Sequence, residues 1–196
     1  MNERLLRTFI SVTLPKEIVT LSKMLQTTVE SKKDNVKWVN PGSIHLTLKF
    51  LGHTPPDVTD KINTTLEKVV ANHSNIKLKI SSTGCFPLVE IPRVLWLGVD
   101  GELEPLKKLV SNIDNELEKL GFPIEEKDFT PHITLARIKY PPKDTPDVTS
   151  FLNTSYQPIN FNVSRIRFMS SELFPNGPIY SILGTHFLGE NPEKEN

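Results

Sequence analysis

Two stretches decide the fold: Ile44-His45-Leu46-Thr47-Leu48-Lys49-Phe50 and Pro131-His132-Ile133-Thr134-Leu135-Ala136-Arg137. Both read His-apolar-Thr-Leu, and their histidines stand 87 residues apart. With five histidines and 17 threonines in 196 residues, a threonine two places after a histidine is expected only roughly 0.4 times by chance. Two copies with matching leucines point to a duplicated unit. Each copy alternates like a strand, and residues two apart on a strand share a face. Alternation therefore puts His45 and Thr47 on one face. Ile44, Leu46, Leu48 and Phe50 fall on the other, toward a core. His132 and Thr134 stand in the same way against Ile133 and Leu135.

Two such strands facing each other would bring together two imidazoles and two hydroxyls. That inventory suits cleavage of a phosphodiester without a metal. One neutral imidazole takes a proton from the attacking oxygen and the other, as imidazolium, protonates the leaving oxygen. The hydroxyls donate to phosphate oxygens whose charge grows in the transition state.

Outward from the motifs, period-two alternation predicts strands at 7–14, 44–51, 76–81, 94–99, 132–138, 159–168 and 179–187. Apolar residues three or four apart predict three helices. The first carries Ile18, Leu21, Met24, Leu25 and Val29. The second carries Val58, Ile62, Leu66, Val69 and Val70, with Thr54 as N-cap and Pro55 at the first helical position. The third runs from Leu103 to Leu120, with Gly121 placed for a left-handed cap. A short fourth helix is expected at 146–153. Strands and helices mix without strict βαβ alternation, which predicts an α+β fold with largely antiparallel sheets. The proline pairs Pro55-Pro56 and Pro141-Pro142 read as loops.

Lysine plus arginine equals aspartate plus glutamate at 23 each, which argues against a protein that coats duplex nucleic acid. It leaves room for a small cleft that grips one or two phosphates. A single cysteine, Cys85, excludes an intramolecular disulfide framework and fits a cytoplasmic location. No stretch approaches the ~20 apolar residues of a spanning helix, and the alternating segment after Arg7 reads as a strand rather than a signal peptide. One domain, 1–196, is expected, with a frayed tail at 189–196.

The chain resembles the two-histidine phosphoesterase superfamily, and within it the RNA 2′,3′-cyclic phosphodiesterases, also called 2′-5′ RNA ligase-like proteins. The resemblance rests on both motifs, extended to His45-Leu46-Thr47-Leu48-Lys49-Phe50-Leu51-Gly52 and Phe129-Thr130-Pro131-His132-Ile133-Thr134-Leu135-Ala136-Arg137. It extends to Arg7-Thr8-Phe9-Ile10, Gly84-Cys85-Phe86-Pro87, Arg93-Val94-Leu95-Trp96-Leu97-Gly98, Ser171-Glu172-Leu173 and Gly177-Pro178-Ile179-Tyr180. It implies two pseudo-symmetric lobes, helices outside, with one motif strand each beside a central cleft. The implied reaction opens a 2′,3′-cyclic phosphate at an RNA end and leaves a 2′-phosphate. His45 would be the proton donor and His132 the proton acceptor, although the motifs themselves are near copies and do not separate the two roles. Thr47 and Thr134 would bind the phosphate. The substrate would be an RNA 3′ end, tRNA fragments included, met by a monomer needing no cofactor, metal or membrane. Joining of 2′-5′ ends, cleavage of 2′-5′ oligonucleotides and binding of RNA ends without turnover remain as alternatives.

Two further residues are candidates for substrate contact. Arg137 completes the second motif, but strict alternation turns it away from His132 unless a bulge intervenes. Phe9 lies on the more polar face of the first strand, where it either stacks a base or packs under a helix. Lys49 and Arg93 are weaker candidates for cleft charges. His53, His73 and His186 read as structural or surface residues, Trp38 and Trp96 as core, Lys32-Lys33 as a solvated helix end, and Cys85 as a small residue in a turn. A histidine metal site lacks a third ligand at recognisable spacing.

Overall fold

In the computed structural model, which describes residues 4–30, 35–139, 145–174 and 177–189, alternating segments become strands and the 3.6-period segments helices. In chain order these are β1 (Leu6–Thr13), α1 (Glu17–Gln26), β2 (Val36–Trp38), β3 (His45–Thr54), α2 (Thr59–Val70), β4 (Ile76–Phe86) and β5 (Val94–Gly101). There follow α3 (Leu103–Glu118), β6 (His132–Ile138), α4 (Thr149–Leu152), β7 (Ile159–Val163), β8 (Arg165–Phe174) and β9 (Gly177–Phe187). One sheet has the order β3-β1-β8-β9 and the other β2-β6-β5-β4-β7. Every pairing between these strands is antiparallel, so the fold is α+β as the pattern implied. Each sheet holds one motif strand, and β3, at the edge of its sheet, rests against β6.

The apolar residues between the motif positions do what alternation required. Leu46, Leu48, Ile133 and Leu135 join Ile62, Leu66, Leu106, Leu109 and Ile113 of α2 and α3 in one buried cluster. Burying each such side chain contributes about 1.5–3 kcal/mol. The opposite faces of the two strands are left for the histidines and threonines. α3 ends as its sequence predicts: Gly121 has φ +91°, and the Gly121 and Phe122 amides donate to the carbonyls of Glu118 and Leu117.

Two expectations need correction, and one strand is additional. The alternating run 159–168 is two strands in two sheets, and the chain passes between them at Ser164, whose carbonyl accepts from the Leu188 amide. Thr54 does not cap a helix. It ends β3, buried, with its hydroxyl 2.7 Å from that of Thr8, and α2 starts at Thr59 after a turn of 3₁₀ helix at Pro56–Val58. β2 is a strand of three residues, too short for any periodicity to reveal. The Lys32-Lys33 run, the Pro141-Pro142 loop and the tail from 190 onward lie outside the described residues.

Candidate active site

Both motif histidines are fixed by the same local bond. His45 Nδ1 lies 2.7 Å from the Ser43 carbonyl oxygen, and His132 Nδ1 lies 2.8 Å from that of Thr130. A carbonyl oxygen only accepts, so each Nδ1 carries the hydrogen and each Nε2 is left for chemistry. In both cases the carbonyl lies two residues before the histidine, so the duplication extends to the tautomer.

Each imidazole also has an aromatic wall. The Phe9 ring stacks on His45, with centroids 4.9 Å apart and planes at 27°. Tyr180 meets His45 edge-on at 5.4 Å and 90°. In the other sheet Phe86 meets His132 edge-on at 5.1 Å and 90°, and Trp96 flanks it at 6.4 Å. Trp96 lies across Gly84, where any Cβ would run into its ring. It therefore lines the His132 face and is not the core residue its apolar neighbours suggested. Phe9 is only 3% exposed. It lies beneath His45, not under a helix, and offers no open face to a base.

The strands do not alternate strictly; each departs in the same way just after its motif threonine, and β3 departs a second time at Leu51. In β1–β3 pairing, Ile10 faces Lys49 and Ser11 faces Thr47, so Leu48 is an extra residue. In β5–β6 pairing, Leu95 faces Ala136 and Trp96 faces Thr134, so Leu135 is the extra residue. Each bulge puts two consecutive side chains into the core: Leu48 and Lys49 in β3, Leu135 and Ala136 in β6. Everything beyond changes face. Arg137 thereby reaches the His132 face through a bulge of the kind its role would need. Phe50 reaches the His45 face, 65% exposed and 6.1 Å from Phe9, where alternation had placed it in the core.

The inward turn of Lys49 removes it from the candidate cleft charges. Its ammonium is buried, 2.6 Å from the Asp114 carboxylate on α3 and 2.8 Å from the Pro123 carbonyl oxygen. The corresponding residue of the second motif is Ala136, which needs no such partner. Arg93 holds the hairpin through its backbone, its amide donating to Phe86 and its carbonyl accepting from Ile138.

Burial pulls the His45 pKa below its ordinary value, partly offset by the Ser43 carbonyl. Burial pushes the Tyr180 phenol up, while the charges of Arg137 and Arg7 oppose that shift. Those two guanidiniums come from different sheets, so Tyr180 marks where the sheets' motif faces converge. The remaining histidines are structural or superficial. His186 Nε2 donates to the Asn63 side-chain oxygen at 2.9 Å, clamping β9 to α2. His73 Nε2 lies 3.0 Å from the Asn112 amide nitrogen, tying the end of α2 to α3. His53 is exposed. Cys85 is half-buried in β4 rather than in a turn, and burial raises its thiol pKa, which suppresses the nucleophilic thiolate. Among the described residues no three His, Cys, Asp or Glu side chains cluster so as to hold a metal ion, and no helix is long and apolar enough to cross a membrane.

Phe50, Tyr180 and Phe86 were not singled out by reading the sequence. The signal for Phe50 is its place five residues after the first motif histidine, the place Arg137 holds after the second.

The family model for the 2′-5′ RNA ligase superfamily matches residues 13–173. An RNA 2′,3′-cyclic phosphodiesterase of Thermotoga maritima is 33% identical over 178 residues, 91% of this chain and 93% of that protein. One of Aquifex aeolicus is 30% identical over 190 residues, covering 95% and 99%. A crystal structure from Thermus thermophilus superposes with TM-score 0.78 at 29% identity, over 94% of this chain and all of that one. Apo LigT of E. coli shares the fold, with TM-score 0.72 at 19% identity over 95% and 99%.

Proposed function

Because the chain belongs to the 2′-5′ RNA ligase superfamily, we propose that it hydrolyses the 2′,3′-cyclic phosphate at an RNA 3′ end to a 2′-phosphate, without a metal. The observation that carries this reading is the matched pair of histidines, each with Nδ1 tied to a carbonyl and Nε2 left for the substrate. Relatives named RNA 2′,3′-cyclic phosphodiesterase, aligned over nearly their full length, supply the substrate class.

Neutral His132 takes a proton from water through Nε2 as the water oxygen forms its bond to phosphorus. The bond from phosphorus to the 3′ oxygen breaks, and His45, as imidazolium, gives that oxygen its Nε2 proton. The 2′ ester is retained, His132 ends protonated and His45 neutral, and proton exchange with solvent restores the starting pair. Thr47 and Thr134 donate hydrogen bonds to the non-bridging oxygens, and Arg137 adds a charge-assisted contact. Burial makes His45 a stronger acid when charged, and the phosphodiester anion beside it supports the charge on binding. Phe9 holds the His45 ring, and Phe50 gives the terminal base an exposed face to stack on.

An RNA 5′-hydroxyl in place of water would form a 2′-5′ linkage by the same proton transfers. Incubation of an oligonucleotide ending in 2′,3′-cyclic phosphate, with EDTA and with or without a 5′-hydroxyl RNA, tests the reading by phosphorus NMR. A 2′-phosphate product supports it, a 2′-5′ joined product assigns the ligase alternative, and binding without any product overturns catalysis.

A further inference from the structure

We propose that Arg167 is a second anion anchor, which holds the phosphodiester linking the terminal nucleotide of the substrate RNA to its neighbour. The inference rests on the reaction proposed above and names what that site recognises beyond the reacting phosphate.

Strand register puts Arg167 on the motif face. Ser11 of β1 is opposite Thr47 of β3 on one side and opposite Arg167 of β8 on the other. Directly opposed residues of neighbouring strands share a face, so Thr47, Ser11 and Arg167 form one row across the sheet. Two interstrand spacings, about 10 Å, separate the backbones at its ends. The long arginine side chain shortens that gap. An internucleotide phosphate lies one sugar away from the terminal cyclic phosphate, which matches a charge set aside from Thr47 rather than beside it. Arg137 reaches the motif face from β6, in the other sheet, whereas Arg167 stands in the same sheet row as Thr47.

The state of the side chain gives the second argument. Arg167 Nε is buried and has no hydrogen-bond partner among the described residues, and no described carboxylate pairs with its guanidinium. Its neighbour two residues back, Arg165, has its guanidinium over the Phe187 ring at 5.8 Å, an arrangement that satisfies a cation without an anion. A half-buried guanidinium without an acceptor carries an uncompensated desolvation cost. A phosphate offsets that cost, because the planar fork of donors fits two of its oxygens. No carboxylate among the described residues stands by to compete for it.

A nucleoside 2′,3′-cyclic monophosphate has no second phosphate, whereas a trinucleotide with the same end has one in the required place. The test compares both substrates on the wild type, Arg167→Met and Arg167→Lys. The expected result is a KM for the trinucleotide raised about 10- to 100-fold in Arg167→Met, the size of one charge-assisted contact. The mononucleotide kinetics change less than about 3-fold on the same scale, which also shows that the variant is folded. Arg167→Lys, which keeps the charge, recovers part of the trinucleotide KM. Equal losses on both substrates, or no loss on either, overturn the proposal. Failure of the wild type to open either substrate overturns the proposed reaction, and the anchor with it. If Arg167→Met does not fold, the wild type decides: log KM for the trinucleotide must rise with log salt more steeply than for the mononucleotide, by about 0.7. Equal slopes overturn the anchor.

Discussion

Phe50 and Arg137 occupy the same place in the two halves of the molecule. Each is the fifth residue after its motif histidine, and each is turned onto the histidine's face by a bulge at the leucine that follows the motif threonine. One backbone device thus presents two different chemistries, an exposed ring in one half and a guanidinium in the other. A base and a phosphate require those two surfaces. Phe50→Ala should therefore raise KM for a cyclic-ended oligonucleotide about 5- to 50-fold with kcat little changed, on the scale of one lost base stack. Arg137→Met should lower kcat/KM by about 10- to 100-fold on either a mononucleotide or an oligonucleotide, because the proposed reaction gives it a contact to the reacting phosphate. Steady-state kinetics on both variants check these values, and an unchanged KM in Phe50→Ala would remove the stacking role.

The buried pair behind the first bulge makes a prediction about stability alone. Lys49 and Asp114 are held together 2.6 Å apart under β3. Asp114→Ala strands the ammonium and should cost about 3–5 kcal/mol. Replacing both residues, Lys49→Met with Asp114→Leu, should recover most of it, since an apolar pair of similar volume is often no worse. Urea denaturation of the single and double variants measures the difference. A single variant as stable as the wild type would contradict the pair's structural role.

Much of the site could be read directly from the chain. The repeated His-x-Thr pattern, with leucines between, fixes which side chains face away from the core. The bulges were not legible, because the residues that make them, Leu48 and Leu135, are ordinary strand residues whose extra place shows only against a partner strand. That is why Lys49 and Phe50 exchanged faces relative to expectation, while Arg137 reached the motif face as its place in the motif required. The passage of the chain from β7 to β8 did leave a trace: apolar residues fall at Ile159, Phe161 and Val163 but then at Ile166 and Phe168, a phase shift across Ser164-Arg165 that an alternating pattern read as one strand passes over. The opposite case is Gly121, whose cap was readable because only the local chain decides it.

Activity should depend on pH with a displaced alkaline limb. The proposed reaction needs His45 charged and His132 neutral. Burial lowers the His45 pKa in the free protein, so as pH rises kcat/KM, which reports free enzyme, should lose the charged His45 and decline at lower pH than kcat does. In the complex the phosphodiester anion favours the imidazolium, so the alkaline limb of kcat should lie higher. Rate profiles from pH 5 to 9, roughly the range over which histidine titrates, decide it. Coincident alkaline limbs for kcat and kcat/KM would contradict the assignment of His45 as donor.

Acid should also weaken the fold. Burial lowers the pKa of His73 and His186 as well as that of His45. A group that prefers to be neutral when folded contributes stability that is complete above its unfolded value near 6.5 and is lost as pH falls through the lowered folded value. Melting temperature should therefore drop on going from pH 7.5 to pH 5, about one unit above and more than one below the ordinary histidine value. His186→Gln, which keeps a donor for Asn63, should reduce the drop. A melting temperature independent of pH over this range would contradict the linkage.

The central claim is that two imidazoles share one phosphate. It is tested most directly by following a 2′,3′-cyclic-ended oligonucleotide by phosphorus NMR, in EDTA, with the wild type, His45→Ala and His132→Ala. The account predicts conversion to the 2′-phosphate by the wild type and a loss of at least about 10²-fold in kcat for each variant, the usual worth of a general acid or base. Full activity in either variant, a 3′-phosphate product, or loss of wild-type activity to the chelator would contradict it.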